Sequence, residues 1–467
     1  MRSENKNFLY TAIYQLLVFL FPLITIPYVS RVLGVDGIGI YSYTYSIVYL
    51  FMLFAMLGIN NYGNREIAKV RDNKIELSRR FITIYILQLC GSLLSIVAYV
   101  VYLYLFCNDF KQIAKIQILF LISCCFDVNW FYFGLELFKK AIIRNLVLRI
   151  SSLICIFVFV KSSADLWLYS LILSGATLLS QIYLFSSLPK YIRLVKIEYK
   201  EVVKHIKGVV ILFIPVLAFG IYRVLDKTML GILSSVTELG FFENSERLIN
   251  IPIAIIGALG TVMLPTMSYH FTNKSENASY IIENSMKLAM ILSTMMCAGL
   301  MLISYDATIV LFGTDFYRCG DIIIFLAITV VVSAWSNVIR TQYLIPKSLD
   351  SIYIFSTIGG AVVNFVINIL TLRTFGAYGA CFGTIMAELF VVGYQFLVLR
   401  NVLPVLKYIY IMLLSLVKAF LIVGLAYIST MNINDSVVSL LAKIAISIIL
   451  FCFVYLSFIK DFFGINK

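Results

Sequence analysis

Phe213-Ile-Pro-Val-Leu-Ala-Phe-Gly-Ile-Tyr222-Arg223-Val-Leu-Asp226-Lys227-Thr-Met-Leu-Gly231 is an apolar run with three charges set into it. Arg223, Asp226 and Lys227 fall at i, i+3 and i+4, which is one face of a helix. At 1.5 Å per residue, Arg223 lies about 21 Å along a span that starts near Val209. A charge at that depth is prohibitive against lipid, so this face either lines a cavity or clasps a neighbouring helix. Both readings make the segment a membrane span packed against protein.

Similar apolar runs recur along the whole chain. Its 467 residues are 61% hydrophobic and 13% charged, with a mean hydropathy of +0.96. Soluble domains are about 45–50% apolar, so the bilayer is the solvent for most of this protein. The runs predict an all-α integral membrane fold of fourteen transmembrane helices. They cover residues 8–30, 38–60, 81–106, 116–136, 141–160, 166–188, 209–232, 247–269, 283–305, 321–342, 351–372, 377–399, 407–429 and 438–459. The first run is followed by Val29-Ser30-Arg31 and is expected to be a span, not a removable signal.

The net charge of +13 follows the membrane topology. Loops after odd-numbered spans hold six basic residues: Arg31, Lys111, Lys115, Lys161, Arg318 and Arg373. The termini and the other loops hold more than three times as many, which puts both termini in the cytoplasm. No nucleic-acid partner is implied. Nine scattered cysteines without C-x-x-C spacing read as small buried hydrophobes, with neither disulfide nor metal site.

A basic cytoplasmic linker at 189–208 separates a six-helix bundle at 1–188 from a second at 209–400. Residues 401–467 add helices 13 and 14 and a cytoplasmic tail. Two echoes relate the halves. Pro22 with Arg31 in span one matches Pro215 with Arg223 in span seven, and interrupted helices in matching positions mark transporters. The turn Arg31-Val-Leu-Gly34-Val-Asp-Gly37 recurs in spacing as Arg373-Thr-Phe-Gly376-Ala-Tyr-Gly379, where glycine permits a sharp reversal.

Few ionisable groups sit at membrane depth. Asp127, in Phe126-Asp127-Val-Asn-Trp130, lies about 16 Å from the external end of span four, with Trp130 on the same helical face. Asp127 and Glu388 are candidates for ion coupling or for structural pairing. Arg149 lies one-third into span five, whereas Arg144 and Lys287 are close enough to the cytoplasmic edge to snorkel. Lys418, mid-span, is either a further functional candidate or a structural partner of a neighbouring helix. Arg65, at the cytoplasmic end of span two, either receives lipid phosphates or anchors its loop. Tyr41, Tyr43, Tyr45 and Tyr49 suit an interfacial anchor. No P-loop, metal cluster or nucleophile motif is present, and His205 and His270 fall in expected loops. No cofactor is indicated, apart from an H+ or Na+ gradient as an energy source.

Six stretches resemble the Wzx-type polysaccharide flippases of the multidrug/oligosaccharidyl-lipid/polysaccharide superfamily. They are Arg31 to Tyr41, Asn64-Arg-Glu-Ile-Ala68, Phe126 to Glu136, Ile214 to Gly231, Leu311-Phe-Gly-Thr-Asp-Phe316 and Gly376-Ala-Tyr-Gly-Ala380. The resemblance implies two pseudo-symmetric six-helix bundles in a V, two further helices and a cationic cavity. It also implies an undecaprenyl-diphosphate-linked oligosaccharide as cargo, turned across a bacterial cytoplasmic membrane for capsule or O-antigen assembly. Arg31, Arg149, Arg223 and Lys227, with Asp226 beside them, are then candidates for the translocation cavity. Arg65 is the candidate for headgroup entry. Membrane lipids, a polysaccharide polymerase and glycosyltransferases are the expected partners.

Two transporters of the same superfamily compete with this reading. A multidrug antiporter favours acidic groups in its cavity, whereas the membrane-depth charges here lean basic. A peptidoglycan-precursor flippase needs the same cationic lumen. A polysaccharide polymerase enzyme calls for a large external loop, and the longest external segment, 306–320, is short.

Overall fold

The computed structural model describes residues 2–107, 109–193, 195–272 and 277–463. Its side-chain description leaves out residues 2–23, 138–142, 215, 218, 265, 272, 277–279 and 456–463. The described residues form helices and no strand. In chain order the helices are α1 (Arg2–Met56), α2 (Ile59–Val70), α3 (Lys74–Leu105), α4 (Lys111–Cys125), α5 (Asn129–Gly134) and α6 (Phe138–Phe159). There follow α7 (Leu166–Phe185), α8 (Tyr199–Leu233), α9 (Val236–Thr272), α10 (Asn277–Phe312) and α11 (Cys319–Ile339). The last four are α12 (Asp350–Phe375), α13 (Ala377–Leu399), α14 (Val405–Thr430) and α15 (Ser436–Phe463).

Helix α1 contributes two spans that meet at Gly34, while α2 and α5 prolong spans two and four. The remaining long helices give one span each, which makes the expected fourteen. The chain is a multi-pass membrane protein. Its lipid-facing surface is apolar: Leu94, Leu370, Leu406 and Phe453 are more than 70% exposed, a pattern no soluble fold sustains.

Both turn glycines behave as the repeated spacing predicts. Gly34 has φ +71° and Gly376 has φ +53°, a region closed to most L-residues. Each lets one helix reverse directly into the next. At the second turn, Glu238 of α9 accepts the Ala377 backbone N–H at 2.9 Å and pairs with Arg318 at 2.6 Å.

The chain divides into two compact units, Met1–Thr228 and Met229–Lys467. In the first, α1 packs on α3, α4 and α6, α4 packs on α7, and α2 packs on α3 and α5. A core of Ile59, Ile67, Phe81, Ile84, Trp130 and Tyr132 lies where α2, α3 and α5 meet. The seventh span, α8, is bent by 54° between its segments Tyr199–Ile214 and Phe219–Leu233, and the break contains Pro215. The side chains of Pro22 and Pro215 lie outside the described residues.

In the second unit α12 packs on α13, α11 on α9, α10 and α13, and α10 on α14 and α15. Asp306 of α10 binds Lys443 at 2.7 Å and the Ser439 hydroxyl at 2.8 Å, which fastens α15. Lys418 of α14 lies 5.5 Å from the Tyr455 ring centroid, so its partner is an aromatic face on α15.

Several expected loops are helical instead. Helix α9 begins at Val236 because the polar stretch Glu238–Glu246 packs inside the unit, with Asn244 and Ser245 wholly buried. Helix α8 begins at Tyr199 within the basic linker. His205 therefore lies on a helix, buried, with its Nδ1 2.7 Å from the Tyr62 hydroxyl, and His270 lies on α9. The tyrosines of span two are half-buried, and Tyr41, Tyr45 and Tyr49 pack on one another. Tyr41 stacks on Tyr45 at 5.9 Å, and Tyr45 meets Phe120 edge-on at 5.2 Å.

Candidate functional site

Span four is not the continuous helix that its hydrophobicity predicts. It stops at Cys125 and resumes at Asn129, so α4 and α5 are separated by Phe126, Asp127 and Val128. The cause is local: an Asp127 carboxylate oxygen accepts the Asn129 backbone N–H at 3.0 Å and the Asn129 amide at 2.7 Å, an Asx turn that competes with helix. Backbone carbonyls freed at membrane depth need new partners. Helix α3 supplies them. Gln88 donates to the carbonyls of Cys124 (2.7 Å) and Asp127 (2.8 Å) and accepts the Trp130 indole N–H at 2.8 Å, while Tyr85 donates to the Cys125 carbonyl at 2.9 Å.

The break turns polar atoms toward a cavity of about 740 Å³ inside the first unit. Its walls come from α1 and α2 (Thr25, Asn60, Asn61, Asn64), the α4–α5 break (Asp127, Asn129, Trp130, Phe133), α6 (Arg144, Asn145, Arg149, Ser152) and α7 (Thr177, Ser180, Gln181). Leu148, Leu153, Ile156, Leu173 and Ala176 supply an apolar remainder. Such a void, apolar in part and edged by convergent polar groups, is what a ligand site needs.

The charges are organised through one asparagine. Arg144 is 5% exposed and donates to Asn129 Oδ1 at 3.0 Å, Asn145 Oδ1 at 2.7 Å and the Ser180 carbonyl at 3.3 Å. Asn129 passes the contact on, its amide reaching Asp127 at 2.7 Å and Gln181 Oε1 at 3.3 Å. Asp127 and Arg144 thus compensate each other electrostatically across a bridging carboxamide. Arg144 does not snorkel to the interface, because these acceptors hold it inside the bundle.

Arg149, one turn further along α6, lines the cavity and is exposed to it. Arg65 follows the lining residue Asn64. It is exposed, 5.5 Å from the Tyr62 ring centroid and 3.6 Å from Glu66, which is itself buried and bound by Lys69 (2.7 Å) and Arg80 (2.9 Å). In the motif Asn64-Arg-Glu, then, the acid ties α2 to α3 and leaves the arginine outward.

Arg31, Arg223, Asp226 and Lys227 are not among the lining residues. Arg31 is exposed one turn before Gly34. Arg223 and Lys227 interact electrostatically with Tyr45, and Thr228 bonds Ser46 at 3.0 Å, so this face of α8 turns to span two. Arg223 remains exposed, with Asp226 and Lys227 half-buried. Glu388 lies half-buried on α13 in the second unit. Among the described residues no three His, Cys, Asp or Glu side chains gather as metal ligands.

The residues that sequence reasoning missed are the neutral ones: Asn60, Asn61, Asn64, Asn129, Asn145 and Gln181. A carboxamide in an apolar span needs partners much as a charge does, and that signal stood in the sequence.

Fourteen spans, with a polar cavity inside the first unit, define a multi-pass membrane protein. The chain belongs to the polysaccharide biosynthesis protein family, whose model matches residues 5–271. Two relatives named "Putative O-antigen transporter" align over most of their length. The protein of Shigella dysenteriae is 21% identical over 83% of this chain and 98% of its own, and that of Escherichia coli (strain K12) is 19% identical over 85% and 97%. The fold is similar to that of the lipid II flippase MurJ in an inward closed conformation, with a TM-score of 0.72 at 15% identity over 97% of this chain and all of the other. Both of these relatives are named as transporters and neither as an enzyme.

Proposed function

We propose that this chain is a flippase for undecaprenyl-diphosphate-linked oligosaccharide repeat units. It carries them from the inner to the outer leaflet of a bacterial cytoplasmic membrane for O-antigen, capsule or exopolysaccharide assembly. The observation that carries the reading is the polar cavity held open inside an otherwise apolar unit. A lipid-linked sugar needs such a passage for its headgroup, while its polyprenyl chain stays in the bilayer.

The charge bias of the loops supports cytoplasmic termini. The Asn60–Asn64 segment, the α4–α5 break and the Gln181 end of α7 then all lie toward the cytoplasmic side, where the cargo is made. The diphosphate and any acidic sugars need cationic partners: Arg31, Arg223 and Lys227 are our candidates for the diphosphate, with Asp226 setting the charge of that face, and Arg149 is the candidate for a sugar acid in the cavity. Arg65 receives the headgroup at entry. Alternating access completes transport, with a proton or sodium gradient acting through Asp127 or Glu388. A polymerase and glycosyltransferases are the expected neighbours in the pathway.

The test is reconstitution. Vesicles containing the full chain and the diphosphate-linked oligosaccharides extracted from its host are followed for arrival of the headgroup in the opposite leaflet. Protein-dependent flipping that falls at least tenfold in Arg223→Ala supports the proposal. No protein-dependent movement of that lipid pool refutes it.

A further inference from the structure

The cavity is lined by six carboxamides, those of Asn60, Asn61, Asn64, Asn129, Asn145 and Gln181, and by only three charged groups. Asp127 and Arg144 compensate each other through Asn129. One full positive charge, on Arg149, is left facing the void. That is a poor match for a diphosphate, which carries at least two negative charges and accepts hydrogen bonds without donating any. It is a good match for sugar hydroxyls. Each hydroxyl both donates and accepts, and a carboxamide offers an acceptor and two donors on one planar group. Asn60 and Asn61 are exposed, and Phe133, 36% exposed, adds an apolar face for the C–H surface of a sugar ring.

We infer that this cavity is the glycan subsite: it binds the carbohydrate of the cargo, neutral or bearing a single acid that Arg149 meets, and does not bind the diphosphate. The inference rests on the flippase reading for the identity of its ligand. It makes the first unit the element that selects the sugar, with Asn60, Asn61 and Asn64 of one short helix as its reading edge.

The experiment measures binding apart from transport. Oligosaccharide released by mild acid from the host's diphosphate-linked lipid pool is labelled and equilibrated with the solubilised full chain, with inorganic pyrophosphate as competitor. The expected result is saturable glycan binding that equimolar pyrophosphate does not displace. Asn60→Ala/Asn61→Ala/Asn64→Ala should weaken it at least tenfold. If that triple variant misfolds, Asn60→Ala and Asn61→Ala singly, at exposed positions, should each weaken it about threefold or more. Displacement by pyrophosphate, or unchanged affinity in the variants, overturns the inference. So does the absence of glycan binding in a protein that flips the intact lipid. Glycan binding by a protein that flips nothing sinks the transport proposal and leaves the subsite standing.

Discussion

Gln88 is the side chain whose replacement the structure prices most directly. It is wholly buried and makes three hydrogen bonds of 2.7–2.8 Å, two to backbone carbonyls freed by the α4–α5 break and one from the Trp130 indole. Gln88→Leu keeps most of the volume and removes all three. Each buried polar group left without a partner costs about 1–3 kcal/mol, so the break is destabilised by about 3 kcal/mol after relaxation, at the low end of the range. At 1.4 kcal/mol per factor of ten, local opening becomes about a hundredfold more populated. Cys124 and Cys125, 3% and 8% exposed, sit at the end of α4 and report it. In membranes, with the other seven of the nine cysteines replaced by serine, their maleimide labelling should accelerate about a hundredfold in Gln88→Leu. A change of less than threefold would show that the break does not depend on α3, and the account of span four would fail.

Arg144→Ala removes three hydrogen bonds and strands Asp127, so the purified protein should melt well below Arg149→Ala, whose side chain is exposed; equal melting temperatures would discount the Asn129 bridge. Gly58 has φ +71°, and a Cβ there would stand 2.9 Å from Phe213 Cα, so Gly58→Ala should cost about 2 kcal/mol or more and reduce the monodisperse yield on size exclusion. Asp306→Lys and Lys443→Asp should each lower the melting temperature, and the exchanged pair should recover at least half of the loss; an additive double variant counts against the α10–α15 bond. Arg71→Ala, which breaks an exposed 2.6 Å pair with Glu136, should leave the melting curve unchanged.

The span count was legible because a bilayer enforces about 20 apolar residues per crossing, and the runs from Phe8 to Ile459 are separated by polar breaks. Turn glycines were legible too, since Gly34 and Gly376 stand at equal spacing from an arginine and a second glycine. The polar start of α9 was not: Glu238 and Ser245 look like loop residues until packing against the Gly376 turn and Cys319 gives them partners, and Asn244 until Arg247 does. The break in span four escaped for a related reason. Hydropathy reads Phe126-Asp-Val-Asn-Trp130 as a span with one charge, and only Gln88 and Tyr85 of α3, about forty residues away, make a non-helical backbone tolerable there. At the site, a search for ionisable groups at depth found Asp127 and Arg149 and passed over the carboxamides, whose polarity is equal in kind but carries no formal charge.

The wall of the cavity has two layers with separate duties. Behind it stand Gln88 and Gly63, both packed on the lining residue Trp130, Gly63 so close that a Cβ would lie 2.4 Å from the Trp130 ring. In front stand Asn60 and Asn61, which project from the same short helix as Gly63 but take no part in holding it. Substitutions in the front layer leave the rear layer intact, so on the glycan-subsite inference descendants of this chain can drift from one carbohydrate to another by exchanging a few short side chains on α2, while the scaffold that folds them stays under unrelenting constraint.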